Sequence, residues 1–273
     1  MPRIKRTFQG LPGPNSTLTL LDGGSYTLVG AVGFLILVKA LPAIGFDRYT
    51  SRSWLDVAID VAADRMPRMR LTGLLEQDIV GVEARSKTSI ILNRMWLSPH
   101  PLLADYVARG VALHAADPDV DTLALHWGSA LRSHPFFASI AEFIGRLLHL
   151  HGEFTSAQIT RRLKEQYGDR ASILRAAEAV LQTLVGWGVI KLEDPKARLF
   201  RARKPMPIRS VAASAWLMES AVASAGKSLR LSDRHLWLFP WTLSSLSEKA
   251  LAGTPLIPHL SGDGELWVTC AIN

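Results

Sequence analysis

The chain has 273 residues, 48% hydrophobic and 20% charged, the composition of a folded globular protein with room for one large domain or two smaller ones. Thirty-one Lys and Arg stand against 24 Asp and Glu, a formal net charge of +7. The single cysteine, Cys270, excludes a disulfide framework and any thiolate-rich zinc or iron–sulfur site within one chain. It also fits a reducing, cytoplasmic setting.

Residues 1–16 carry Gly10, Pro12, Gly13 and Pro14 and read as a flexible leader. Asp22-Gly23-Gly24-Ser25, between Leu18–Leu21 and Tyr26–Val29, reads as a hairpin turn. The most apolar run is Leu28–Val38, broken by Lys39 and Pro42. A spanning helix needs roughly 20 apolar residues, so only extension to Phe46 would make even a marginal membrane span. A buried strand or helix edge is the preferred reading, and a membrane is not an expected partner.

From Ser53 the spacing becomes helical. Trp54, Leu55, Ala58, Ile59 and Ala62 mark a first helix, stopped by Pro67. Further helices are marked by Ile90 to Trp96, by Leu102 to Leu113, and by Leu123 to Leu131. Residues 51–134 are thus expected to form a helical bundle, after an N-terminal segment 1–50 that holds the leader and an apolar hairpin or helix. Met206-Pro207 reads as a linker. The segment 205–273 then has a helix over Val211–Ala225, capped by Gly226, and a strand over Glu265–Ile272 after the turn Ser261–Gly264.

The stretch 135–204 is the most informative. Pro135 opens a helix that runs through Phe136, Phe137, Ile140, Phe143, Ile144 and Leu147 to Gly152. Thr155-Ser156-Ala157-Gln158 matches a capping box, so a second helix starts near Ser156 and turns Ile159 and Leu163 inward. Asp169 is placed to cap a third, from Arg170 to Leu184. Val189–Glu193 and Arg198–Arg203 follow as extended runs around Asp194-Pro195-Lys196. Three helices and a hairpin in this order resemble the winged helix-turn-helix, over about a quarter of the chain. The resemblance rests on pattern: Thr155–Tyr167 as second helix, Asp169–Val185 as recognition-type helix and Lys191–Arg203 as wing.

The resemblance implies a fold that is mainly α with a small β component: a helical bundle, a central winged helix and a small α+β C-terminal part. It also implies duplex DNA as partner, with the third helix in the major groove and the wing on the backbone. Charge agrees, since residues 155–205 hold eleven basic and five acidic side chains, an excess of six out of the chain's seven. A localised positive excess is what phosphate contact requires. The expected DNA-binding residues are Arg161, Arg162, Arg170, Ser172, Arg175, Gln182, Lys191, Lys196, Arg198, Arg201 and Arg203. Arg175 has the chemistry to read guanine and Gln182 adenine. Arg198, Arg201 and Arg203 would serve phosphates. The competing reading is a solvated charged face, or an assembly protein whose winged helix binds a protein partner or a second copy.

No catalytic motif survives inspection, so no enzyme activity, cofactor or metal is expected. Ala221–Ser228 and Gly81–Thr88 resemble phosphate-binding loops but lack glycines where backbone amides must reach phosphate. None of the eight histidines forms an i, i+4 pair, and surface or partial burial is the reading for them. Asp56, Asp60 and Asp64 read as a solvated helix face, and Cys270 as a packed thiol. Trp96, Trp127, Trp187, Trp216 and Trp237 read as core anchors. Leu236–Trp241 either closes the C-terminal core or marks a partner surface. The layout of helical front, central winged helix and apolar C-terminal cap resembles transcription regulators. It also resembles the small winged-helix accessory proteins of bacterial phage-defence islands, of the BrxA type.

Overall fold

The computed structural model describes residues 17–19, 25–29, 36–39, 44–117 and 120–270. It divides into two compact units, Met1–Leu41 with Ile272–Asn273, and Pro42–Ala271. The expected leader, residues 1–16, lies outside the described residues.

The described part of the first unit is an antiparallel sheet in the order β1 (Thr17–Thr19), β2 (Ser25–Val29), β3 (Ile36–Lys39). Thr19 pairs with Ser25, as the expected hairpin requires. Leu28 pairs with Leu37 and Val29 with Ile36, so the apolar run folds back on itself as two strands instead of forming a helix. Among the described residues no helix is long and apolar enough to cross a membrane.

The second unit is mainly helical. Helix α1 (Arg52–Ala62) buries Trp54, Leu55, Ala58 and Ile59, the stripe its spacing predicts. The chain reverses at Asp64, whose φ is 56°. Helix α2 (Arg68–Asp78) follows without a sequence signal, because it buries only Leu71 and Leu75. It is held instead by Trp54, whose indole N–H donates to Asp78 at 2.7 Å. Helix α3 (Val82–Leu92) runs on into a π-helical turn over Asn93–Leu97. The Ser129 hydroxyl donates to the Met95 carbonyl within that turn at 2.7 Å.

Helices α4 (Ala104–Ala116) and α5 (Thr122–Ser133) then pack with α9 (Val211–Ala225). Their joint is tight because two glycines let Trp216 in. A Cβ at Gly110 would come within 2.7 Å of the Trp216 ring, and one at Gly128 within 2.3 Å. Tyr106 stacks on that ring at 4.2 Å, and the Trp216 N–H donates to the Tyr106 carbonyl. Arg109 closes the joint with two hydrogen bonds to Glu219, at 2.7 and 2.9 Å.

Three expectations are corrected in this unit. Asp56 and Asp60 are not a solvated face. Asp56 accepts hydrogen bonds from Thr122 at 2.6 Å and from the wholly buried His126 at 3.0 Å, and Asp60 pairs with His114 at 2.7 Å. Burial opposes ionisation of Asp56, yet the bonds from His126 and Thr122 outweigh it and hold the carboxyl below the usual range. His126 and His134 are fully buried, so surface or partial burial does not describe them. Met206-Pro207 is not a free linker: it is a strand, β7, paired in parallel with β9 (Trp241–Thr242).

Leu236–Trp241 closes a core. Trp127 is completely buried, and its ring meets Phe137 at 5.2 Å, Phe239 at 5.4 Å, Trp241 at 6.4 Å and Trp187 at 6.5 Å. Its N–H donates to the Trp237 carbonyl at 2.8 Å. One indole thus joins α5, the residues after it and the 236–241 segment. The five tryptophans expected as anchors are all buried. The C-terminal sheet has the order β10 (Leu256–Leu260), β11 (Leu266–Cys270), β8 (Leu229–Arg230).

Candidate nucleic-acid interface

Helix α6 (Pro135–His151) takes Pro135 as its first residue and ends at Gly152 in the left-handed region, φ 75°. Strand β4 (Glu153–Thr155) follows directly. Thr155 and Gln158 form the expected capping box at the start of α7 (Ser156–Tyr167): the Gln158 N–H donates to the Thr155 hydroxyl at 3.3 Å, and the Thr155 N–H to the Gln158 side chain at 2.7 Å. Helix α8 (Ala171–Gly186) starts one residue later than expected. Its N-cap is Arg170, with no side-chain cap, and Asp169 pairs instead with Lys164 at 3.0 Å.

The hairpin of β5 (Ile190–Asp194) and β6 (Leu199–Ala202) returns along β4, giving an antiparallel sheet in the order β4-β6-β5. Phe154 and Phe200 are cross-strand partners and stack at 5.3 Å, which seals the sheet against the helices. At the hairpin tip the Asp194 carboxylate accepts from the backbone N–H groups of Lys196 and Ala197, the turn chemistry its position predicts. The N-terminal approach is bolted to this unit. The Thr50 N–H donates to Thr183 on α8, and the Trp187 N–H donates to the Thr50 carbonyl.

On α8, Ile173, Ala176, Ala177, Val180, Leu181 and Leu184 are buried. The opposite side presents Ser172, Arg175 and Gln182 to solvent, with Glu178 among them half-buried. Glu178 is the one carboxylate on that face. It accepts a hydrogen bond from Gln182 at 3.1 Å, and both its oxygens are engaged by the Arg198 guanidinium. Arg198 holds a left-handed backbone, φ 51°, and its guanidinium lies 5.7 Å from the centre of the Phe200 ring. The wing arginine is therefore clamped to the third helix, where sequence reading had it reaching for phosphate.

The other basic residues divide into two sets. Arg161 and Arg162 are exposed on α7 and both pair with Glu165, at 3.6 and 3.3 Å. Arg201 pairs with Glu153 across β4 and β6, at 2.7 Å. Lys191 pairs with Glu193 and lowers its carboxyl pKa through their hydrogen bond. By contrast, Arg170, Arg175, Lys196, Arg203 and Lys204 are all exposed with no carboxylate partner among the described residues; Arg170 donates only to the Tyr167 carbonyl. These five bracket the hairpin and the start of α8.

Two features of this face escaped sequence reading. Glu178 is 20 residues from Arg198, and no local pattern announces their pairing. Glu153 lies just outside the basic stretch, yet it offsets Arg201. Leu174 and Val185, each 38% exposed, add an apolar component to the same helix. The two loop-like motifs are helical: Gly81 precedes α3, Ala221–Ala225 lie inside α9, and Gly226 is its left-handed cap. Among the described residues no group of three His, Cys, Asp or Glu side chains could hold a metal ion. Comparison with protein-family models, curated proteins and solved structures gave no match.

Proposed function

We propose that residues 135–204 form a winged helix that docks duplex DNA, with α8 in the major groove and the β5–β6 hairpin on the backbone. The chain would then act as a transcription regulator or as an accessory subunit of a bacterial multigene system, phage defence included. The observation that carries this reading is electrostatic. The only carboxylate on the solvent side of α8 is neutralised from the hairpin by Arg198, and Arg170, Arg175, Lys196, Arg203 and Lys204 are left free at the start of α8 and along the hairpin and its exit. A phosphate approaching this face meets unpaired cations and a screened Glu178. Arg175 and Gln182 are the side chains on α8 with base-reading chemistry.

The test is duplex binding by two variants that act oppositely. Glu178→Gln removes the carboxylate and frees Arg198, and it is expected to tighten binding. Arg198→Ala unmasks Glu178 and is expected to weaken it. Equal affinity for both variants and the parent would remove the electrostatic basis of the proposal.

A second reading is favoured by Leu174 and Val185 and by the six basic residues already matched to carboxylates. In that reading α8 docks on a protein partner or a second copy. It predicts that Leu174→Asp abolishes a protein contact while duplex DNA is never bound.

A further inference from the structure

A cavity of about 170 Å³ lies on the other side of the hairpin exit, between α6, residues 202–205 and the 234–239 turn. Its lining includes Leu148, Pro205, Leu236, Phe239 and Gly145. Helix α6 touches the turn directly here: a Cβ on Gly145 would lie 2.0 Å from the Leu236 carbonyl oxygen. The polar residues on the lining are Arg203, Arg234, His149 and His235, and no acidic residue is among them. Arg203 and Arg234 are exposed and have no carboxylate partner among the described residues. The neighbouring Asp233 pairs with Arg230 at 3.7 Å and also acts on His235, so it offsets part of the positive charge here.

His235 is part of the lining and is 8% exposed, so it closes one side of the cavity with a largely buried ring. Burial lowers the His235 pKa, so the ring is neutral there and offers one N–H donor or one acceptor, not a charge. The positive charge in the lining comes from the two exposed arginines.

We infer that this cavity is a binding site for a small organic anion, with an apolar body seated against Leu148, Leu236 and Phe239 and a phosphate or carboxylate head between Arg203 and Arg234. Size supports a body of one ring: an apolar cavity of about 150 Å³ accommodates benzene. Apolar walls with a few convergent polar groups are the usual make-up of a ligand site. Arg203 is also the residue that leaves the hairpin, so an occupant would engage the end of the wing. The inference does not rest on duplex binding, because the cavity residues other than Arg203 lie outside the proposed DNA face.

Titration calorimetry of the full chain with phenyl phosphate tests it. Phenyl phosphate is expected to bind one to one, with phenol and inorganic phosphate each weaker by about tenfold or more because each uses half of the site. Arg234→Glu and His149→Glu, both at exposed positions, should each cost about tenfold or more, while Lys227→Glu, an exposed charge outside the lining, should leave binding unchanged. Three outcomes would overturn the assignment: no heat with phenyl phosphate, equal binding of inorganic phosphate and phenyl phosphate, or equal losses in all three charge variants. Binding of duplex DNA that Arg234→Glu weakens, with no binding of phenyl phosphate, would also overturn it, since the head group would then be a backbone phosphate.

Discussion

Two Arg–Glu clamps tie distant segments of this protein together, and they differ in what surrounds them. At the joint of α4, α5 and α9, Arg109 grips Glu219, whose side chain is 4% exposed, beside the stacked Tyr106 and Trp216 rings. At the hairpin, Arg198 grips Glu178 with both side chains more than a third exposed. In the first pair the carboxylate is buried, although Arg109 itself is partly exposed and also bonds Asp105 at 2.9 Å, and losing Arg109 strands the Glu219 charge. The second is screened by solvent and holds its geometry weakly. The same chemistry closes a buried joint in one place and masks a carboxylate at the surface in the other.

That contrast breaks most visibly at the buried joint. Gly128→Ala drives a Cβ to within 2.3 Å of Trp216, and Gly110→Ala drives one to within 2.7 Å of the same ring. Each should lower unfolding free energy by about 3 kcal/mol or more in urea melts. Arg109→Ala leaves Glu219 buried without its cation and should cost about 3 kcal/mol by the same measurement. If it costs as little as an exposed pair, the two clamps are not different in kind.

Titration sharpens the difference next. Burial, with Arg94 nearby, holds His134 down to about 3, and burial also depresses His126 despite its bond to Asp56. A histidine whose folded pKa is lowered contributes stability above its unfolded value of about 6.5, and that contribution is lost as pH falls toward the folded pKa. For His134, stability should therefore decline between about pH 6.5 and 3, by up to about 1.4 kcal/mol per pH unit, and His126 adds a loss of the same sign below about pH 6.5. Substituting His134 by Asn should flatten that decline.

The smallest effects belong to the exposed side. Thr155→Ala removes the α7 capping box and should cost about 1 kcal/mol. Arg198→Ala should cost less than about 1 kcal/mol of stability. Its expected effect is on duplex affinity, where an unmasked Glu178 is predicted to cost roughly fivefold, about 1 kcal/mol. Such a split between stability and binding is what an exposed pair that masks a carboxylate would produce.

Local signals made the central helices readable in sequence. The capping box of Thr155 and Gln158, the left-handed glycines 152 and 226, Pro135 at a helix start and the apolar spacing of α6 and α8 all act within a few residues. Elements defined by distant partners were not legible. Helix α2 has two buried leucines and needs Trp54 and Asp78 to hold it. Strand β4 is three residues long and acquires its meaning from Phe200, 46 positions away. Asp169 has the right side chain for a cap, yet Lys164 competes for it. At the candidate site, the basic excess was visible, but its division into matched and unmatched charges was not. That division depends on Glu153, Glu165, Glu178 and Glu193 finding partners in three dimensions.

The salt dependence of duplex binding tests the central claim most directly. If the five unmatched cations Arg170, Arg175, Lys196, Arg203 and Lys204 each neutralise one phosphate, log K against log salt should fall with a slope of about −4.5. Removing Arg175 and Lys196 together should reduce that slope by about 2. No binding at low salt, or a slope that the double variant leaves unchanged, contradicts the account.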